Sequence, residues 1–144
     1  MIKVKSGFTL IELLVSISII GLLIGLSTFA LQGARKSSRD TRRKADLELI
    51  RSGIEIYKAD CDVYPSSLPS AGNALMGDGG TSTCLLTNIY ISSIPTDSLT
   101  PNRSYYYTSP DGETYELCAA LEGGGTGVCS GSCGQTCNYV LVNP

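Results

Sequence analysis

The sequence predicts an α+β protein, in which one long N-terminal helix packs on a small antiparallel sheet of about three strands. Three observations lead to this prediction. Residues 8–31 are predominantly apolar and almost free of charge. Residues 35–60 carry apolar side chains at helical spacing. After residue 103, short runs that contain tyrosine or valine alternate with turn signals.

The apolar run FTLIELLVSISIIGLLIGLSTFAL, residues 8–31, is long enough to cross a lipid bilayer. Its 24 residues would span about 36 Å as a helix. A secretory signal peptide has a shorter apolar region, about 7–15 residues, and a small-x-small cleavage site. Thr28-Phe29-Ala30 matches such a site poorly. We therefore predict that residues 8–31 form a membrane-spanning helix.

One carboxylate, Glu12, lies inside this apolar run. A charge at the centre of a bilayer costs about 2.5–3.5 kcal/mol on insertion scales, so such a residue indicates a function by default. A signal peptide would not need this carboxylate, and neither would a plain membrane anchor. Glu12 is therefore a candidate functional residue.

The helix is predicted to continue to about residue 60 with an amphipathic pattern. Its apolar stripe has spacings of three, four and three residues and consists of Leu47, Ile50, Ile54 and Tyr57. The polar faces are assigned to Arg43, Lys44, Glu48, Arg51, Glu55 and Lys58. The dipeptide Tyr64-Pro65 lies beyond the predicted end, because proline stops a helix.

Residues 66–103 are rich in Ser, Gly, Thr and Pro and predict a mostly irregular connection, with a short helix near Leu68–Leu75. Three strands are expected after it. They are Ser104–Thr108, Glu113–Leu121 and Asn138–Val142. The turn SPDG separates the first two strands, and a glycine-rich loop, residues 122–136, separates the last two.

The charges are distributed unevenly along the chain. The formal net charge is −2, but residues 35–58 contain eight basic and four acidic side chains. Residues 60–144 contain eight acidic side chains and only one basic side chain, Arg103. A nucleic-acid-binding domain would be basic across a face, so no nucleic acid is expected as a partner.

The chain has no histidine, the commonest acid–base catalyst, and we do not expect an enzyme.

Six cysteines follow the apolar run: Cys61, Cys84, Cys118, Cys129, Cys133 and Cys137. In a small, glycine-rich, exported domain such a set indicates disulfides, whereas in a cytosolic domain it would indicate reduced thiols. A metal site is less favoured, because the chain has neither histidine nor a Cys-x-x-Cys pair. Six cysteines can pair in fifteen ways. Among them we predict Cys118–Cys137 across two antiparallel strands, Cys129–Cys133 within the loop, and Cys61–Cys84, a choice that only the geometry of the fold can decide.

The stretch GFTLIELLV, residues 7–15, resembles the signal of type IV prepilins and of the pseudopilins of type II secretion systems. The resemblance implies that a prepilin peptidase cuts between Gly7 and Phe8 and methylates the new amine of Phe8. Glu12 then becomes the fifth residue of the mature chain. Two further stretches are similar to the same family: RKADLELIRSGIEIYKADCDVYPSSL (43–68) and IPTDSLTPNRSYYYTSPDGETYELCAALE (94–122).

The resemblance implies a pilin-like domain organisation. It divides the chain into a leader peptide (1–7), a transmembrane and assembly half of the helix (8–34), and a globular domain (35–144) that includes the amphipathic half. The expected precursor is a single-pass protein of the bacterial cytoplasmic membrane, which later enters an extracellular or periplasmic filament. Its expected partners are identical or related subunits, the prepilin peptidase, the membrane assembly machinery and membrane lipid.

In such a filament, Glu12 of one subunit would pair with the Phe8 ammonium of a neighbour, where water is excluded. Either charge alone would be costly there, so the pair would fix the register of the subunits. The family resemblance also raises calcium as a cofactor, although none is required. Its candidate ligands are Asp97, Asp111, Glu113 and Glu122. PTDSLTPN departs from the family's usual Asp-Pro-Trp-Gly run at this point.

Three functions remain open at this stage. The 43–68 stretch and the short sheet favour a pseudopilin of type II secretion. The cysteine-rich tail favours a type IV pilin of an external fibre. A minor tip subunit that acts as a binding module, for adhesion or DNA uptake, is the third, although an acidic domain disfavours direct DNA binding.

Overall fold

A computed structural model describes residues 7–143 of the chain. The single helix α1 (Leu10–Cys61) contains 52 residues and is followed by five short strands. These are β1 (Leu75–Met76), β2 (Ile89–Ile91), β3 (Tyr106–Thr108), β4 (Glu116–Ala119) and β5 (Tyr139–Val142). They form an antiparallel β1–β2 pair and an antiparallel sheet in the order β3-β4-β5. The predicted α+β class, with one long helix and a three-stranded sheet, is confirmed.

The chain divides into two compact units, Met1–Lys36 and Ser37–Pro144. In the first unit, every residue whose burial is described is exposed. Its part of α1 includes an 18-residue window with a mean hydropathy of 2.4, so this helix is long and apolar enough to cross a membrane. The predicted leader peptide, apart from Gly7, lies outside the described residues.

The second unit is built on one face of α1. Leu47, Ile50 and Ile54 are fully buried and Tyr57 is almost so, which confirms the predicted apolar stripe. The helix ends at Cys61, and Asp62 follows with a φ of 63°, the left-handed conformation that commonly closes a helix. Aspartate adopts this conformation more readily than most residues because its short side chain can bond to the backbone nearby.

Strand β4 is buried on both of its faces. Leu117 and Ala119 point toward the α1 stripe and belong to the larger core cluster. Cys118 points the other way, as alternation along a strand requires, into a second cluster with Cys133 and Cys137. The sheet thus has α1 on one face and the cysteine-containing loop on the other.

The segment between α1 and β3 differs from its prediction in two ways. Residues 68–75 contain no helix, and β1 and β2 form a small sheet in the part predicted to be irregular. Strands of two and three residues are too short to give a period-2 pattern, so sequence periodicity could not reveal them. They are stable because their apolar residues Leu75 and Ile91 are buried against the core of the second unit.

The disulfide prediction is partly wrong. The structure contains the expected Cys61–Cys84 bond, but it joins Cys118 to Cys129 and Cys133 to Cys137. The expected Cys118–Cys137 bond fails because the residue opposite Cys118 on β5 is Val140. The remaining four cysteines bond on the sheet face that the loop covers, with Cα–Cα distances of 6.5 and 5.4 Å.

Gly53 allows α1 to approach β2 closely. A Cβ atom at Gly53 would lie 2.1 Å from Cγ1 of Ile91, and Ile91 is itself buried. We therefore expect Gly53→Ala to lower the free energy of unfolding by about 1–3 kcal/mol through overpacking, although alanine favours helices. Ser52→Ala, at an exposed neighbouring position of α1, is the matched control. Urea unfolding in detergent micelles measures the free energy of unfolding of both variants. Equal stability of the two variants would contradict the close approach of α1 to β2.

Thiol counting tests the disulfide pairing. The double variant Cys118→Ser/Cys129→Ser removes one complete bond, so it should show no free thiol under denaturing, non-reducing conditions. Cys118→Ser/Cys137→Ser breaks two bonds and should release the thiols of Cys129 and Cys133. The reverse result would restore the pairing expected from the sequence.

Candidate functional site

The predicted processing site lies in an accessible segment before α1. Phe8 is 77% exposed, and nothing lies within 4 Å of the position that a Cβ at Gly7 would occupy. Gly7 and Phe8 both precede the first helical residue, Leu10. The backbone between them is thus free of helical hydrogen bonds, and exposed segments outside regular structure are the preferred sites of proteolysis.

Glu12 closes the first turn of α1 by a reciprocal cap. Its Oε2 accepts hydrogen bonds from the Thr9 backbone N, at 2.9 Å, and from the Thr9 hydroxyl, at 2.8 Å. The Glu12 backbone N donates to the Thr9 hydroxyl, at 3.4 Å. This is a capping box, which satisfies backbone N–H groups that have no partner within the helix. The sequence signal for this cap is Thr9-x-x-Glu12, which is absent from the predictions above.

The cap leaves the Glu12 carboxylate on the same surface as the predicted new N-terminus. Phe8, Ile11, Glu12, Val15 and Ser16 line one shallow depression at the start of α1. The carboxylate also lies in the first turn, where the helix dipole favours a negative charge. In a single subunit, Glu12 therefore has a structural partner without any neighbouring molecule.

A second cluster of charges lies in the second unit, around Arg43. This side chain is almost fully buried, at 1% exposure, instead of lying on the polar face predicted for it. Its Nε and Nη2 donate to the two carboxylate oxygens of Asp97, at 2.6 and 3.1 Å. Its Nη1 donates to Asp40, at 2.7 Å, and to Glu122, at 3.0 Å. We call Arg39, Asp40, Arg43, Asp97 and Glu122 the Arg43 cluster.

The Arg43 cluster joins α1 to two distant parts of the chain. Arg39 donates twice to the carboxylate of Glu122, at 2.6 Å each. Asp40 accepts hydrogen bonds from the backbone N of Glu122, at 2.8 Å, and of Gly123, at 2.7 Å. The residues just after β4 are thereby fixed to the helix. The missed signal for Arg43 was its position four residues before Leu47, on the line of the buried stripe.

These contacts change the acidity of the carboxylates. The hydrogen bonds from Arg39, with those from Arg43, lower the pKa of Glu122 from 4.5 to about 2. Burial alone would raise the pKa of Asp97, but the hydrogen bonds from Arg43 and from the Leu99 backbone N outweigh it and lower that pKa. Both carboxylates are therefore ionised at neutral pH.

The four calcium candidates are separated into two pairs. Asp97 and Glu122 bind Arg43, whereas Asp111 accepts from the backbone N of Glu113, and Glu113 pairs with Lys58 at 2.8 Å. Because Arg43 and Lys58 are 15 residues apart on α1, the pairs are anchored about 22 Å apart along the helix. Among the described residues, the clusters with metal-ligand spacing both include cysteines that form disulfides.

Comparison with known proteins agrees with the N-terminal motif. Residues 2–28 match the family model of the prokaryotic N-terminal methylation motif. The type II secretion system core protein G of Pseudomonas aeruginosa is 35% identical over 63 residues, which cover 44% of each chain. The core proteins G of Aeromonas hydrophila and Escherichia coli are each 32% identical to this chain over 63 residues. The aligned residues cover 44% of this chain, 44% of the Aeromonas protein and 43% of the Escherichia coli protein. No solved structure matches the chain.

The chain thus combines an N-terminal methylation motif, an exposed apolar helical segment and a small antiparallel sheet. Both comparisons agree with the resemblance to pilins and pseudopilins that the N-terminal motif carries. The aligned region spans less than half the length of the curated relatives it matches.

Acid unfolding should reveal the ion pairs of Glu122. Because its pKa is about 2 when folded and about 4.5 when unfolded, these pairs stabilise the fold above pH 4.5 and are lost as the pH falls toward 2. We expect Glu122→Gln to lower the free energy of unfolding at pH 7 by about 1.5–3 kcal/mol. The loss of stability between pH 4.5 and 2 should also be smaller than in the unsubstituted chain.

Urea unfolding at a series of pH values measures this difference. Glu113→Gln is the matched control, because the Glu113 side chain is 69% exposed and its ion pair contributes little. Hydrogen bonds also lower the pKa values of Asp40 and Asp97, but these two carboxylates are common to all three proteins, so the comparison reports on Glu122. Equal pH profiles for Glu122→Gln and the unsubstituted chain would contradict the assignment.

Proposed function

We propose that this chain is a structural subunit of the pseudopilus in a protein-export system of the type II class. The observation that carries the proposal is the methylation motif, residues 2–28, at the start of the apolar part of α1, whose described residues up to Lys36 are all exposed. The similarity to type II secretion core proteins supports the pseudopilus over other filaments. The subunit would be cut after Gly7 and assembled through its helix.

The precursor would reside in the bacterial cytoplasmic membrane as a single-pass protein. Its apolar helix would contact lipid before assembly, and the second unit would lie on the outer side, where disulfides persist. The prepilin peptidase, the membrane assembly machinery and identical or related subunits would be its partners. Nucleic acid is not proposed as a partner.

Glu12 would act in assembly by pairing with the methylated amine of Phe8 on a neighbouring subunit. A subunit buried in the wrong register would leave its carboxylate without a cation in an apolar environment. Removal of one partner of such a buried pair costs about 3–5 kcal/mol. The pair would therefore oppose wrong registers as strongly as it favours the right one.

The capping box gives Glu12 a second role that must be separated from assembly. Glutamine at this position can still close a capping box but carries no charge, so Glu12→Gln tests the ion pair alone. Thr9→Val removes the hydroxyl of the cap and leaves the carboxylate. Ser18→Ala is the control on the same helix, because the Ser18 hydroxyl donates to the backbone oxygen of Leu14, one turn earlier, and takes no part in the cap.

We expect Glu12→Gln to be inserted in the membrane and processed, but to be largely absent from filaments sheared from cells that carry the assembly machinery. Thr9→Val and Ser18→Ala should assemble. The readout is the ratio of sheared to membrane-bound subunit on immunoblots. If Glu12→Gln assembled normally while Thr9→Val did not, the carboxylate would serve the cap and the proposed pairing would be wrong.

A type IV pilin of an external fibre is the second candidate. The loop that covers the outer face of the sheet favours it, because residues 123–137 carry no charge and are held by two disulfides, as suits a surface exposed outside the cell. Electron microscopy separates the two. Long surface filaments would favour the pilin, and short envelope-spanning assemblies would favour the pseudopilin.

A further inference from the structure

The family resemblance raises calcium as a cofactor. The structure shows whether the carboxylates of the second unit have oxygens free to bind it. Calcium requires six to eight oxygen ligands at about 2.3–2.6 Å, so a site must offer carboxylate oxygens that are free to approach the ion. Three carboxylates of the second unit converge on one point: Asp40, Asp97 and Glu122. The point is already occupied by the guanidinium of Arg43.

We propose that Arg43 is a built-in cation, which takes the structural place of a divalent metal ion and makes the fold of the second unit independent of calcium. The proposal concerns this unit alone and does not depend on the role of the chain in a filament. It rests on the hydrogen bonds, the charges and the connectivity of the Arg43 cluster.

Every carboxylate oxygen in the cluster is already used. Each of the six oxygens of Asp40, Asp97 and Glu122 accepts at least one hydrogen bond from the protein. A metal ion could bind only if several of these bonds were broken. The donors are the side chains of Arg39 and Arg43 and the backbone N–H groups of Leu99, Glu122 and Gly123.

The charges of the cluster show that the guanidinium of Arg43 offsets part of the negative charge that a metal ion would otherwise neutralise. Three carboxylates and two arginines, Arg39 and Arg43, leave a net charge of −1. Without Arg43 the same group would carry −2, which is the charge that one divalent cation neutralises. Burial makes this balance important, because carboxylates left without a nearby cation in a low-dielectric environment are costly.

Arg43 joins three separate segments of the chain, as a bound metal ion would. Its three partners come from α1, from the segment before β3, and from the residues after β4. A planar guanidinium with five N–H donors can hold several carboxylates in fixed directions. Unlike an ion, it is covalently part of the chain and cannot be removed by a chelator or a change of compartment.

The test compares thermal unfolding of the full chain in detergent micelles, in excess EDTA and in about 1 mM CaCl₂, the range in which extracellular calcium sites bind. The unsubstituted protein should unfold at the same temperature in both solutions. Arg43→Ser, which leaves the three carboxylates around an empty space, should unfold at a lower temperature in EDTA and be restabilised by CaCl₂. Arg42→Ser, an exposed neighbour on α1, is the control and should not respond to calcium.

Two outcomes would overturn the proposal. One is a midpoint of the unsubstituted protein that falls in EDTA and recovers with CaCl₂. The other is a folded Arg43→Ser variant that responds to calcium no more than Arg42→Ser, because its carboxylates would then not form the site of a cation. If Arg43→Ser failed to fold in both solutions, the comparison of the unsubstituted protein with and without EDTA would still decide.

Discussion

The buried face of α1 from Arg43 to Tyr57 is the surface on which the second unit is built. The β3-β4-β5 sheet packs on the apolar part of this face, and the β1–β2 pair approaches it at Gly53. The face begins with a charge, Arg43, whose carboxylate partners hold two loops against the helix. Near its other end, Cys61 is bonded to Cys84. A hydrophobic stripe thus supplies the burial, while an ion cluster and a disulfide fix the segments that have little apolar surface of their own.

The two units differ in what covers their apolar surface. The second unit covers both faces of its sheet, with α1 on one side and the disulfide-bonded loop on the other. Among the described residues, no buried side-chain nitrogen or oxygen is left without a hydrogen bond. The first unit buries nothing that is described and exposes a run of large apolar side chains. A surface of this kind requires lipid or other helices around it.

The parts of the fold that repeat with a regular period could be predicted from the sequence. The stripe of Leu47 and Tyr57 and the strands of the main sheet are examples. Features that depend on contacts distant in sequence could not. Arg43 continues the stripe, but a charged residue is not expected inside a core unless its partners are known. Those partners, Asp97 and Glu122, are more than 50 residues away. The pairing of Cys118 likewise depends on which loop crosses the sheet, and this is invisible in the spacing of the cysteines.

The central proposal is that the chain is a processed subunit of an exported filament. Intact-mass and N-terminal analysis of the protein from its native membrane, without reductant, tests this most directly. The account predicts a chain that begins at methylated Phe8 and is six hydrogens lighter than its reduced form, two for each of the three disulfides. A chain that still begins at Met1 and carries six free thiols would contradict both the processing and the export.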